Sequence, residues 1–208
     1  MRADFRDELK EAALMSVPRF LMATGILMLV VVGLYATHVA GAPRAQAANT
    51  HPPSANVNLT VVTGLGRTGD WPAFVPSAIT VPAHATVTFT VTNLDNATAL
   101  PAQFARVKGT VGDTATVAAI NPKAPNVLGQ ARVITSLDPN TQVGHTFTIL
   151  ALGLNVPIAS QSVETFVIHT GAPGVYTWRC YDPCGMGSSG WEGPMGAAGY
   201  MSGTMTVG

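Results

Sequence analysis

Thr86-Val87-Thr88-Phe89-Thr90-Val91-Thr92 alternates polar and apolar side chains without a break, the two-residue period of a strand with one wet and one buried face. Working outward, short β-branched runs recur at 57–62, 78–81, 114–119, 131–136, 145–150, 164–169, 174–180 and 203–207. Prolines such as Pro76, Pro82, Pro122, Pro139 and Pro173 punctuate them, and Asn93-Leu94-Asp95-Asn96 reads as a turn. No helical stripe of comparable length occurs past residue 40. The expectation is an all-β domain, a sandwich or Greek-key barrel over 57–208. Between 97 and 140 the pairing is not legible.

The chain has 208 residues, 47% hydrophobic and 11% charged. With 11 Lys+Arg against 11 Asp+Glu there is no basic excess to neutralise phosphates, so nucleic acid is excluded as a partner. Residues 1–19 mix both charges, and nothing charged follows from Phe20 to Pro43. About 20 apolar residues cross a bilayer core, so 20–40 is expected to be a transmembrane anchor. Arg2, Arg6, Lys10 and Arg19 precede the span and Arg44 follows it, which puts 1–19 in the cytoplasm and the domain on the outer face of the cell membrane. A cleaved signal peptide is the rival, because Ala45-Gln46-Ala47 fits an A-x-A site. Residues 41–56, rich in Ala, Pro, Gly and Asn, read as a flexible tether.

Chemistry concentrates in two places. One is His145, at a strand start. The other is the C-terminal stretch that holds Cys180, Asp182, Cys184, Met195 and Met201. Thiolate, thioether and imidazole together form the soft donor set that selects copper. Two Cys and one His without a fourth ligand, and without the second half of a finger, fit zinc poorly. No G-x-S-x-G, H-E-x-x-H, P-loop or C-x-x-C-H is present, and no independent catalysis is expected.

From about 142 to 207 the sequence resembles the copper domain of cytochrome c oxidase subunit II, a member of the cupredoxin superfamily. The landmarks are His145-Thr146-Phe147, Gly153-Leu154-Asn155-Val156, Pro173-Gly174-Val175-Tyr176, Cys180-x-x-x-Cys184-Gly185 and Met201. The resemblance implies a cupredoxin-like β-sandwich and a binuclear copper centre. Cys180 and Cys184 would bridge, His145 and Met201 would ligate, and the Asp182 main-chain carbonyl would be a weak ligand. It also implies electron transport as a component of a membrane respiratory complex, with a redox protein as partner. The family's second His would stand at Ala198, and no His follows His169. The remaining donors suit one copper, with Met195, Met186 or Glu192 in place of the lost imidazole. Two rivals stay open: a copper-free structural subunit with a Cys180–Cys184 disulfide, and Cu(I) delivery or storage.

Overall fold

The computed structural model describes residues 51–63 and 70–208. The expected anchor at 20–40 and the cytoplasmic segment lie outside them, and no helix among the described residues is long and apolar enough to cross a membrane. The strands are β1 Ser54–Val62, β2 Ala73–Val75, β3 Ala78–Val81, β4 Thr86–Asn93, β5 Ala115–Asn121 and β6 Ala124–Leu128. They continue as β7 Arg132–Ile134, β8 Val143–Ile149, β9 Leu154–Ala159, β10 Ser162–His169, β11 Gly174–Arg179 and β12 Ser202–Val207.

They form two sheets. One runs β2-β1-β4-β10-β5-β6, with β7 also on β5, and the other runs β3-β12-β11-β8-β9. The alternating stretch is the centre of the first sheet. β4 lies between a parallel β1 and an antiparallel β10, and its Val87, Phe89 and Val91 point inward while the threonines point out.

Three strands escape the sequence reading. β2 has only three residues, too few to show a period. β6 and β9 carry Pro125 and Pro157, and proline removes a ladder donor. Pro157 is accommodated because β9 is the end strand of its sheet, opposite Thr146 of β8. The free side of β9 is closed by the preceding loop, where Lys108 and Asn155 exchange backbone hydrogen bonds. Ser54, Ala55 and Asn56, read as the end of the tether, are the start of β1, because they pair with Thr86, Val87 and Thr88.

The two inner faces bury an aromatic cluster. Phe89 stacks on Phe166 at 5.0 Å within one sheet and meets Phe147 of the other at 5.4 Å. Trp178 lies against Phe147 at 5.5 Å and Phe74 at 5.1 Å, and donates its indole N–H to the Ser77 carbonyl. Truncating such a ring costs about 3–5 kcal/mol, so the sandwich is a stiff support. Its two ends differ. β1 begins and β10 finishes beside Thr86, whereas β4 finishes near the start of β8 and the loop that follows β11.

Candidate metal centre

His145 and Cys180 sit on neighbouring antiparallel strands, β8 and the end of β11, which meet where Arg179 pairs with Thr148. Both are fully buried. His145 Nδ1 lies 4.0 Å from Cys180 Sγ, and Cys180 Sγ lies 3.7 Å from Cys184 Sγ. The ligand atoms of His145, Cys180 and Cys184 all fall within 4.8 Å of one another. This trio is positioned to hold a metal ion.

The other expected residues divide. Met195 joins the trio: its Sδ is 3.5 Å from Cys184 Sγ. The Gly-rich insertion makes this possible by folding into a small ribbon, with Met186 and Glu192 exchanging backbone bonds, followed by a 3-10 turn over Gly193–Met195. Gly190 is required there. Its φ is +72°, and a Cβ would run into the Pro183 carbonyl. Met201 is fully buried, and its carbonyl accepts the Cys180 N–H. The Asp182 carbonyl is 3.8 Å from Cys180 Sγ and accepts the Cys184 N–H at 2.7 Å. Met186 and Glu192 stay at the surface: the Met186 thioether accepts the Trp71 indole N–H at 2.9 Å. Ala198, the position of the absent histidine, is exposed. His169 bonds Thr86 Oγ1 at the other end of the sandwich, and His84 turns the chain with φ +52°. Met205 is core, as its alternation predicts.

Residues that carry no metal-ligand signature complete the surroundings. Asp95, in the turn after β4, places Oδ2 3.2 Å from His145 Nε2. An Asx turn holds it there: Asn93 Oδ1 accepts the Asp95 N–H, and Asp95 Oδ1 accepts the Asn96 N–H. Gly144 lets that turn approach, since a Cβ would come within 2.7 Å of Asn93 Nδ2 and 2.9 Å of the Asn96 carbonyl. Thr98 donates to Asp182 Oδ2 at 2.6 Å. The Cys180 sulfur accepts the main-chain N–H groups of Thr146 at 3.3 Å and Asp182 at 3.4 Å. The turn itself was legible at Asn93-Leu94-Asp95-Asn96, but its proximity to His145 spans fifty residues of chain and has no local sign.

The electrostatics follow. Burial opposes charge on His145, but the Asp95 hydrogen bond and the Cys180 sulfur outweigh it and raise the ring to about 9. Burial likewise opposes the Cys180 thiolate. The Cys184 thiol and the His145 ring overcome it and hold Cys180 well below the usual thiol range. Cys184 is driven the other way by its Cys180 neighbour and by burial. Burial lifts Asp182 to about 7 against the Thr98 hydrogen bond. These directions favour charge on the His145 ring and on the Cys180 sulfur and oppose it on Cys184. Two thiol sulfurs, an imidazole and a thioether form a soft donor set, buried except at the half-buried Cys184.

No family model matches the sequence, and no curated protein does. Solved structures align over most of the chain. Auracyanin B is 17% identical over 77% of this chain and 92% of its own, with a TM-score of 0.35. Dithionite-reduced auracyanin from the photosynthetic bacterium Roseiflexus castenholzii is 16% identical over 75% and 98%, with a TM-score of 0.34. The multicopper oxidase Fet3p is 7% identical over 77% of this chain and 29% of its own, with a TM-score of 0.31. At these scores the likeness carries no functional weight, and the assignment rests on the side chains.

Proposed function

We propose that this chain is a membrane-anchored, cupredoxin-type copper protein that passes single electrons, similar to an oxidase subunit II, within a respiratory complex on the outer face of the cell membrane. His145, Cys180, Cys184 and Met195 would hold one copper ion, with Met201 and the Asp182 carbonyl beside them. The observation that carries the reading is the convergence of these donor atoms, buried except for the half-buried Cys184, at one end of a stiff sandwich. Copper supplies a one-electron couple at such a site. The chain's part is to fix the donors: N–H groups of Thr146 and Asp182 aim at the Cys180 sulfur, and Asp95 fixes the ring so that Nδ1 faces it. Donors held by strands and backbone bonds move little when charge changes.

β1 begins beside Thr86, while the donors lie past Asn93 at the other end of β4. Eight residues of strand separate the ends, about 25 Å at 3.3 Å per residue. The donors therefore sit at the end of the sandwich opposite the start of β1.

The test is copper stoichiometry with visible and EPR spectra on the full chain, purified in detergent under reducing conditions and reconstituted. The expected result is one copper per chain, with thiolate charge-transfer absorption that Cys180→Ser and His145→Ala abolish. Two coppers with a delocalised mixed-valence spectrum would replace the mononuclear centre by a binuclear one. No retained copper, with Cys180 and Cys184 joined as a disulfide, would reject the reading in favour of a structural subunit.

A further inference from the structure

β11 is not paired along its whole length. On one side it meets β12 from Gly174 to Arg179, but on the other its one register pair with β8 is Arg179 opposite Thr148. β8 ends at Ile149, and the chain turns away through the 3-10 segment Leu150–Leu152. Successive N–H groups of a strand point to opposite edges. The Cys180 N–H goes to Met201 before β12, and the Tyr181 N–H goes to Thr146 Oγ1 on β8. By the same alternation the N–H and C=O of Val175 and Thr177 point to the β8 side. There, among the described residues, they have no register pair with β8 and no hydrogen bond from a turn or loop.

What they face is a groove of about 430 Å³, with Val175, Thr177 and Arg179 along one wall and Thr148, Leu150 and Ala151 along the other. Its rims are apolar: Val175 is 71% and Leu150 64% exposed. Its one charge is Arg179, whose guanidinium donates to the Met195 carbonyl and pairs with no carboxylate among the described residues.

We infer that this notch is a docking site for an extended acidic peptide segment of a partner protein, which adds as a short strand to the free edge of β11 and sets a carboxylate against Arg179. Alternating N–H and C=O groups at one strand spacing are matched by an extended polypeptide and by little else. The lone cation selects the charge of that segment. The edge of a second copy does not fit. In any copy β11 is bounded by its own Leu150–Leu152 turn, so the notch admits a single strand and not the edge of another sandwich. The inference is independent of the metal: it stands whether or not the chain binds copper.

The test uses the full chain in detergent with a displayed library of random linear heptapeptides, followed by amide hydrogen exchange. The Val175 and Thr177 amides should exchange fast in the free protein and become protected by the selected peptides, which should be enriched in Asp and Glu. Val175→Pro removes the donor where a free edge tolerates proline, so the melting temperature should hold while peptide affinity falls about tenfold. Arg179→Gln should weaken acidic peptides roughly two- to fivefold, the scale of one exposed ion pair. Slow exchange of both amides in the free protein, no acidic enrichment, or binding unmoved by Val175→Pro would each overturn the inference.

Discussion

Asp95 Oδ2 and His145 Nε2 lie 3.2 Å apart, on the opposite side of the imidazole from Cys180. The pair fixes which ring nitrogen faces the sulfurs and favours charge on the ring.

Because His145 rises from 6.5 to about 9, its interactions stabilise the metal-free fold fully below the lower value, and that contribution fades as pH climbs through the upper one. A metal needs the neutral ring and a deprotonated Cys184, so copper affinity should grow by up to about a hundredfold per pH unit below the ring's own titration point and less steeply above it. Asp95→Asn should move that point down. NMR titration of His145 and copper binding at several pH values would show it, and a profile unchanged by Asp95→Asn would refute the coupling.

Met195 and Met201 are distinguishable. The Met195 thioether is 3.5 Å from Cys184 Sγ, so Met195→Leu should change the copper spectrum and weaken retention. Met201→Leu should mainly alter packing, at a cost under about 1.5 kcal/mol. Parallel spectra and thermal melts decide it, and a larger spectral change from Met201→Leu would make Met201 the thioether donor.

Gly144→Ala would press a methyl against Asn93 Nδ2 and the Asn96 carbonyl. The expected destabilisation is about 1–3 kcal/mol, with His145 titrating closer to its ordinary value as the Asp95 turn is pushed off. Denaturant unfolding and the His145 NMR titration read the two effects. A mutant that loses neither would mean that the turn's approach is not needed.

Glu164 is buried inside the sheet. Its Oε2 accepts the Ala159 N–H, and its Oε1 has no hydrogen-bond partner among the described residues. Burial lifts its carboxyl from 4.5 to about 8. Across that window the unfolded chain has lost the proton that the folded chain keeps, so its contribution to stability is fullest below the lower value and declines up to the upper. Glu164→Gln should flatten the slope and raise the melting temperature at pH 8 more than at pH 5. Equal changes at both pH values would sink the assignment.

The sequence by itself determined the strand periodicity. β4 is legible because a half-buried strand must alternate, and Phe89 and Val91 fall on the inner face as the pattern demands. It also determined the closeness of Cys180, Asp182 and Cys184, since three intervening residues cannot carry two thiols far apart. Everything that needed distant chain segments was decided by the tertiary structure. His145 reaches the cysteines because β8 lies beside β11, Asp95 reaches His145 because Gly144 leaves room, and β9 forms around Pro157 because an end strand can spare a donor. Met195 meets Cys184 through the path of a Gly-rich insertion with positive-φ turns. Residue type fixes what a side chain can ligate, but a loop's path is set by long-range backbone hydrogen bonds, and no local pattern encodes those.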